Sequence, residues 1–262
     1  MIRIHRAAAL AFALVVLPLH AVAAPTEPPP ASSSPEFPRY VMSKIDDLYR
    51  GNKSHGVIEM TVQTKHWTRT LSLESWSLGK DFSLVRILAP KKEQGTATLK
   101  ARRDLFTYLS NTARTIKITA GMMGGSWMGS HFTNDDLVQV SRLSDDYEIK
   151  LVFDGDADGT RVYRFSLVPR PNAAVVWGKV EITVRAADLQ PLRTRYFDEG
   201  GKPVREMESS EQKEVQGRRV PMRVVMRPLD GSDEFTEIRY KKLDFDTQLD
   251  EGFFSLQKLK AL

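Results

Sequence analysis

The sequence predicts a mainly β (α+β) protein, an incomplete antiparallel β-barrel or strongly curved sheet of about 11 strands, with helices and a methionine-rich loop as a lid. Two observations predict this class. After one amphipathic segment, apolar residues recur with a period of two, and turn residues interrupt them at short intervals. A sheet of that many consecutive strands rarely stays flat and open, so curling is the usual way to bury one face.

The N-terminal segment, residues 1–23, is typical of a secretory signal peptide. Arg3 and Arg6 precede an apolar run over residues 7–19, and Ala-Val-Ala at 21–23 provides a small-x-small cleavage site. The run is shorter than the ~20 apolar residues that cross a bilayer, which argues against a membrane anchor. We therefore expect a mature protein in the periplasm.

The rest of the chain divides into a linker and one domain. Residues 24–35, rich in proline and serine, predict a flexible linker, and residues 36–262 predict a single domain. The domain opens with an amphipathic helix between Ser34-Pro35, as cap and first turn, and Gly51, as stop. Its apolar face comprises Phe37, Val41, Ile45, Leu48 and Tyr49.

Half-buried strands account for most of the domain. Apolar residues alternate with polar ones over 58–63 and again over 179–184. Similar patterns predict further strands around residues 68–78, 82–89, 95–101, 105–109, 114–119, 147–153, 160–168, 192–198, 203–213, 219–227 and 235–245. Glycine and aspartate pairs between them, such as those at 154–155 and 230–231, predict hairpin turns.

One segment, residues 120–137, breaks the alternation with four glycines, three methionines and a tryptophan. Methionine is flexible and polarizable, so methionine-rich surfaces adapt to apolar partners of variable shape. If this segment lies over the mouth of a curved sheet, it is expected to act as a mobile apolar lid. The alternative is a loop whose methionines plug the end of the core.

The sequence contains no motif that is typical of an enzyme active site. The chain has no cysteine, and its mature part carries only His55, His66 and His131, far apart and next to polar residues. The glycine-rich segment lacks the lysine of a phosphate-binding loop and the last glycine of a nucleophile elbow. We expect no catalytic residue and no cofactor. The net charge of +5 is scattered, which argues against nucleic acid as a partner.

Residues 154–159, Asp-Gly-Asp-Ala-Asp-Gly, match the first half of a calcium-binding loop. The twelfth position, which needs a bidentate glutamate, is Phe165. We therefore expect a hairpin turn here and no metal site.

Several motifs together resemble one family. They are WTRT at 67–70, SLVRILAPKKEQGTATL at 83–99, GSWMGSHFTNDDL at 125–137, VVWGKV at 175–180, EIRY at 237–240 and FFSL at 253–256. The chain resembles the outer-membrane lipoprotein-sorting proteins, the large relatives of the periplasmic lipoprotein carrier LolA. The likeness extends from Phe37 to the end of the chain.

The resemblance implies a LolA-like lipid-carrier domain, in which an incomplete barrel closed on one side by helices encloses an apolar cavity for acyl chains. It implies lipoprotein acyl chains or another lipid as cargo, an inner-membrane ABC-type or efflux-type transporter as donor, and an outer-membrane acceptor. A monomer or weak dimer is expected, since unclosed sheet edges are able to pair. The alternative function is a non-catalytic envelope module that docks on an inner-membrane exporter and carries no cargo.

Alternation selects the candidates for cavity lining, and plain core packing is the alternative for each strand position. The candidates are Trp76, Leu84, Leu88, Leu99, Phe106, Tyr108, Ile116, Ile118, Met122 and Met123. The family motif adds Trp127, Met128 and Phe132 as cavity or lid residues. It also adds Asn134, Asp135 and Asp136, which cap a short helix beginning near Leu137 in the simplest interpretation.

Overall fold

A computed structural model describes residues 28–139, 143–171, 173 and 175–261. The predicted signal peptide and the first part of the predicted linker lie outside these residues. Within them, no helix is long and apolar enough to cross a membrane.

In the described part of the chain, thirteen antiparallel strands form one sheet that does not close into a barrel. The strands are β1 (Lys53–Gln63), β2 (Thr68–Leu78), β3 (Phe82–Ala89), β4 (Ala97–Ala101), β5 (Asp104–Leu109), β6 (Arg114–Ile118), β7 (Tyr147–Ala157), β8 (Thr160–Pro169), β9 (Lys179–Arg185), β10 (Pro191–Phe197), β11 (Pro203–Val215), β12 (Arg218–Pro228) and β13 (Phe235–Asp244). Their spatial order is β6-β5-β4-β3-β2-β1-β13-β12-β11-β10-β9-β8-β7. The predicted fold class is confirmed, with 13 strands instead of about 11.

Pairing of β1 with β13 joins the two halves of the sheet at its middle. β1 shows why these residues form a strand: Ile58, Met60 and Val62 are buried, and the residues between them are half-buried. Every side chain on one face therefore packs inward, as a period of two requires. The two free edges are β6 and β7.

Among the described residues, four short α-helices accompany the sheet: α1 (Phe37–Asp46), α2 (Asn134–Gln139), α3 (Leu143–Asp146) and α4 (Leu256–Ala261). α1 packs Phe37, Val41 and Met42 against apolar side chains of β7, β8 and β9. α4 packs Leu259, together with Phe254, against Leu84 and Leu99 at the other side of the sheet.

The predicted bounds of the first helix were partly wrong. Its N-cap is Glu36, not Ser34, and Pro38 occupies the first turn, where the missing N–H costs nothing. The helix ends at Asp46, because the chain turns over residues 47–50 before Gly51 takes a left-handed φ of 52°. Leu48 and Tyr49 therefore belong to this turn.

The aspartate-rich segment at 154–159 forms the β7–β8 hairpin. Asp158 and Gly159 alone separate the two strands, and both have left-handed φ values, as a two-residue turn of this type requires. Asp154 forms an ion pair of 3.0 Å with Arg161 across the hairpin, and Phe165 is fully buried. The predicted hairpin is confirmed.

Candidate functional site

An apolar cavity of about 260 Å³ lies against the inner face of the sheet. Its floor comes from strands of both halves, including Ile58 of β1, Leu73 of β2, Val224 of β12 and Ile238 of β13. Period-two alternation directs these side chains to one face. The volume lies just below the 300–1,000 Å³ range of most ligand sites.

Two segments form the roof of the cavity. The C-terminal end of α1 and the turn after it contribute Ile45, Leu48 and Tyr49. The methionine-rich segment contributes Trp127 and Phe132. We call these the roof segments, residues 45–50 and 127–137. The cavity is therefore bounded by the sheet on one side and by short irregular segments on the other.

A small hairpin holds the two aromatic roof residues in place. The Trp127 amide donates to the Phe132 carbonyl at 2.8 Å, and residues 126 and 133 form an isolated antiparallel bridge. The Ser130 hydroxyl donates to the Trp127 carbonyl at 2.7 Å, and the Trp127 indole Nε1 donates to Thr98 Oγ1 at 3.1 Å. With a 5 % exposed side chain, Trp127 packs as part of the core.

The same hairpin carries local backbone strain. Met128 has a φ of 51°, a left-handed conformation that costs a non-glycine residue roughly 1–3 kcal/mol. Gly129 continues in that region with a φ of 68°. The Arg69 guanidinium donates to the Met128 carbonyl and also pairs with Glu93 at 2.9 Å. The strained turn is thus tied to β2 through one arginine.

The three motif residues after the hairpin begin α2. The predicted cap was misplaced: the helix starts at Asn134, and Thr133 precedes it. Thr133 and Asp136 form a reciprocal cap, since the Thr133 amide donates to Asp136 Oδ2 at 2.7 Å and the Asp136 amide donates to Thr133 Oγ1 at 3.3 Å. Asn134 donates its side-chain amide to the Met122 carbonyl at 3.0 Å, which anchors the glycine-rich part of the loop.

Asp136 also forms a buried ion pair with Arg205 of β11. Nη2 of Arg205 lies 2.5 Å from Oδ1 and Nη1 lies 2.8 Å from Oδ2, and Nη1 also donates to the His131 carbonyl. The guanidinium carbon lies 4.1 Å from the ring centroids of both Trp177 and Tyr196. This arginine, between two aromatic rings and a carboxylate, pins the roof to the sheet.

An open cleft of about 580 Å³ adjoins this ion pair on the other side. We call it the outer cleft. Its walls include Trp177, Arg205, Val204 and the β10–β11 turn with Asp198 and Glu199. Asp136 lines the cavity and Arg205 lines the outer cleft, so one ion pair separates the two recesses.

Polar groups lie at one end of the cavity, where Tyr49 and Tyr240 stack at 4.9 Å beside Arg50. Burial raises the pKa of Tyr240 to about 12 and lowers the pKa of Arg50. Nearby, burial raises the pKa of the Asp46 carboxyl from 3.8 to about 7; Lys80 and Arg50 oppose this shift without cancelling it. Neither Asp46 oxygen has a hydrogen bond of good geometry among the described residues.

The predicted lining residues occupy three kinds of place. Trp127, Phe132 and Asp136 line the cavity. Trp76 lies on β2 at the edge of the cavity, but its ring faces the other side of the sheet, where it stacks on His55 at 5.5 Å and lies 5.4 Å from Phe253. Leu84, Leu99, Phe106 and Tyr108 belong to the separate cluster beneath α4. Met128 packs against the core next to the cavity; Leu88 and Met123 are half-buried, Ile118, Asn134 and Asp135 are buried, and Ile116 and Met122 are exposed.

Sequence reasoning missed the cavity residues of the C-terminal half, among them Thr194, Met207, Val224 and Ile238. A sequence signal was present in β12, where Val220, Met222, Val224 and Met226 recur at every second position, but β11 and β13 show no such regular alternation. It also missed Arg205, for which the sequence offers no signal, since its partner is 69 positions away.

Comparison with known proteins supports the fold. A domain named as an outer-membrane lipoprotein-sorting protein from Vibrio parahaemolyticus is similar with a TM-score of 0.77 and 22 % identity, over 86 % of this chain and 99 % of that one. A DUF1329 family protein from Desulfovibrio piger is similar with a TM-score of 0.76 and 22 % identity, over 84 % of this chain and 97 % of that one. A LolA superfamily protein from Nitrosomonas europaea is similar with a TM-score of 0.73 and 18 % identity, over 84 % of this chain and 98 % of that one.

The resemblance drawn from the sequence motifs is thereby confirmed at the level of the fold. No curated protein matches the chain in sequence. A family model described as "Uncharacterized protein"-like matches residues 79–261. The chain therefore belongs to this uncharacterized-protein-like family, and its fold is LolA-like.

Proposed function

We propose that the protein is a periplasmic carrier that binds the acyl chains of lipoproteins or other lipids in its cavity and moves them from the inner toward the outer membrane. The observation that carries this proposal is the apolar cavity on the inner face of an unclosed sheet, roofed by two short segments. The LolA-like fold agrees with it. An inner-membrane ABC-type or efflux-type transporter would supply the cargo, and an outer-membrane acceptor would receive it.

The energetics favour a carrier. Each methylene buried from water contributes about 0.8 kcal/mol, so a chain of some 16 carbons contributes on the order of 12 kcal/mol. An acyl chain therefore does not cross an aqueous compartment unshielded. The cavity supplies a lining dominated by apolar side chains of β1, β2, β12 and β13.

Loading requires the roof to move. The cavity of about 260 Å³ is smaller than most ligand sites, so a bound acyl chain displaces at least one roof segment. The 127–137 segment is held by a few hydrogen bonds and by the ion pair of Asp136 with Arg205. The lid is thus fastened to the sheet at a few defined points.

Native mass spectrometry of the mature chain, residues 24–262, purified from its own envelope tests the proposal. We expect a stoichiometric acylated species that lipid extraction identifies. A bare protein mass, together with failure to bind added phospholipid or acylated peptide, would contradict a carrier function.

A cavity-blocking variant sharpens this test. Ser209 lines the cavity, and Ser210, the next residue of β11, points to the opposite face. Ser209→Phe fills the cavity and is expected to abolish lipid binding, whereas Ser210→Phe retains it. Circular dichroism and thermal unfolding verify that both variants fold. Equal binding by the two folded variants would place the lipid elsewhere.

A further inference from the structure

Two residues that line the outer cleft each hold a buried hydrogen-bond donor without an acceptor. Arg205 is 6 % exposed and uses both terminal nitrogens, yet its Nε–H has no partner among the described residues. The indole Nε1–H of Trp177 has none either. Buried donors without acceptors are costly, so a site that holds two of them is complementary to acceptor oxygens. Arginine suits phosphate and ester oxygens in particular.

Acidic side chains line the same cleft. Asp198 and Glu199 lie in the β10–β11 turn, and Glu199 is exposed. Carboxylates attract a cation and repel an anion that carries no positive charge of its own. Donors and carboxylates in one recess therefore favour a zwitterion, with its phosphate at Arg205 and Trp177 and its ammonium at the acidic turn.

The outer cleft and the apolar cavity share a wall. Arg205 lines the cleft, and its partner Asp136 lines the cavity. His131 lines the cleft, and the next residue, Phe132, lines the cavity. Once the roof has moved on loading, a ligand with a polar head in the cleft and apolar chains in the cavity would have its ester region at this wall.

We propose that the outer cleft binds the head group of a zwitterionic phospholipid whose acyl chains occupy the cavity. This inference rests on the proposed carrier function and names its substrate class. The phosphodiester accepts hydrogen bonds from Arg205 and Trp177, and the ammonium group pairs with Glu199. The cavity selects for acyl chains in general, whereas the cleft selects the head group.

Calorimetric titration of the mature chain with water-soluble lipids tests the head-group site. The probes are dihexanoyl-phosphatidylethanolamine, dihexanoyl-phosphatidylglycerol, dihexanoylglycerol and free phosphoethanolamine. We expect the ethanolamine lipid to bind about tenfold more tightly than the neutral glyceride, as one charge-assisted hydrogen bond provides. Phosphatidylglycerol, which lacks the ammonium group, is expected to bind about threefold more weakly than the ethanolamine lipid.

Two variants locate the head group. Trp177→Phe removes the N–H and keeps an aromatic ring beside Arg205, so both phospholipids should lose about tenfold in affinity while the glyceride is unaffected. Glu199→Gln should weaken only the ethanolamine lipid, by about threefold. Trp67→Phe and Glu214→Gln, which change exposed residues outside the cleft, are the matched controls and should bind as the original chain does.

The outcomes separate the two proposals. Equal affinity for all three lipids, or no change in either cleft variant, would overturn the head-group site and leave the carrier function standing. Phosphoethanolamine bound as tightly as the lipid would overturn it too, because the ligand would then be a free phosphate compound. No binding of any acylated probe would overturn both.

Discussion

Breaking the ion pair between Asp136 and Arg205 should destabilise the protein strongly. Their side chains are 8 % and 7 % exposed, and two contacts of 2.5 and 2.8 Å join them. Removing one partner leaves the other charge buried without compensation, which costs about 3–5 kcal/mol. Asp136→Asn and Arg205→Met should each lower the free energy of unfolding by about that amount. The double variant leaves no buried charge without a partner, so we expect a coupling energy of about 2–3 kcal/mol between the two positions.

Urea unfolding followed by tryptophan fluorescence and circular dichroism measures all four chains, and coincident curves establish a two-state transition. Arg195 and Glu206 provide a matched control on neighbouring strands, with a contact of 2.6 Å but an arginine that is 39 % exposed. Their coupling should stay below about 1 kcal/mol. A coupling for the buried pair no larger than that of this control would refute the assigned role of the ion pair in fastening the roof.

Three further predictions concern single positions. Burial raises the pKa of Asp46 to about 7, so the native state keeps a proton that the unfolded chain releases from pH 3.8 upward. The free energy of unfolding should therefore fall as the pH rises from about 4 to about 7, by at most about 4 kcal/mol; Asp46→Asn should remove this slope and Asp47→Asn should retain it in denaturation series at several pH values. A Cβ at Gly178 would lie 2.5 Å from a backbone carbonyl oxygen of the β10–β11 turn, whereas at Gly124 the nearest atom is 3.8 Å away. Thermal unfolding should show a loss of about 1–3 kcal/mol for Gly178→Ala and little change for Gly124→Ala, and equal melting temperatures would argue against that close packing. Trp127→Ala should lower the free energy of unfolding by about 3–5 kcal/mol in urea, and a loss below about 1 kcal/mol would show that the roof is not packed as described.

The fold was predictable because its signals are local. Strict alternation over β1 and β9 depends only on neighbouring residues, and the residue types at Asp158-Gly159 and Gly231 predict turns there. The number of strands was underestimated as a total, although each of the 13 segments was recognised separately. The end of the first helix at Asp46 was not predictable, since Leu48 and Tyr49 continue its apolar spacing but turn toward the cavity.

The candidate site was predictable only in part, because alternation shows which face is buried and not where the interior is hollow. Leu84 and Ile58 follow the same pattern, yet Leu84 packs against Phe254 near the C-terminus and Ile58 faces the cavity. Trp127 was identified through its motif, and its place in the roof follows from the hairpin geometry. The contact of Asp136 with a residue of β11 depends on tertiary structure alone.

Quenching of tryptophan fluorescence by a brominated acyl chain tests the carrier account most directly. Trp127 lines the cavity, whereas Trp67 is 44 % exposed in the β1–β2 hairpin outside it. In variants that keep one of these two tryptophans and replace the others with phenylalanine, a brominated phospholipid should quench the fluorescence of Trp127 and leave that of Trp67 unchanged. Equal quenching at both positions, or quenching of Trp67 alone, would contradict the binding of acyl chains in the cavity.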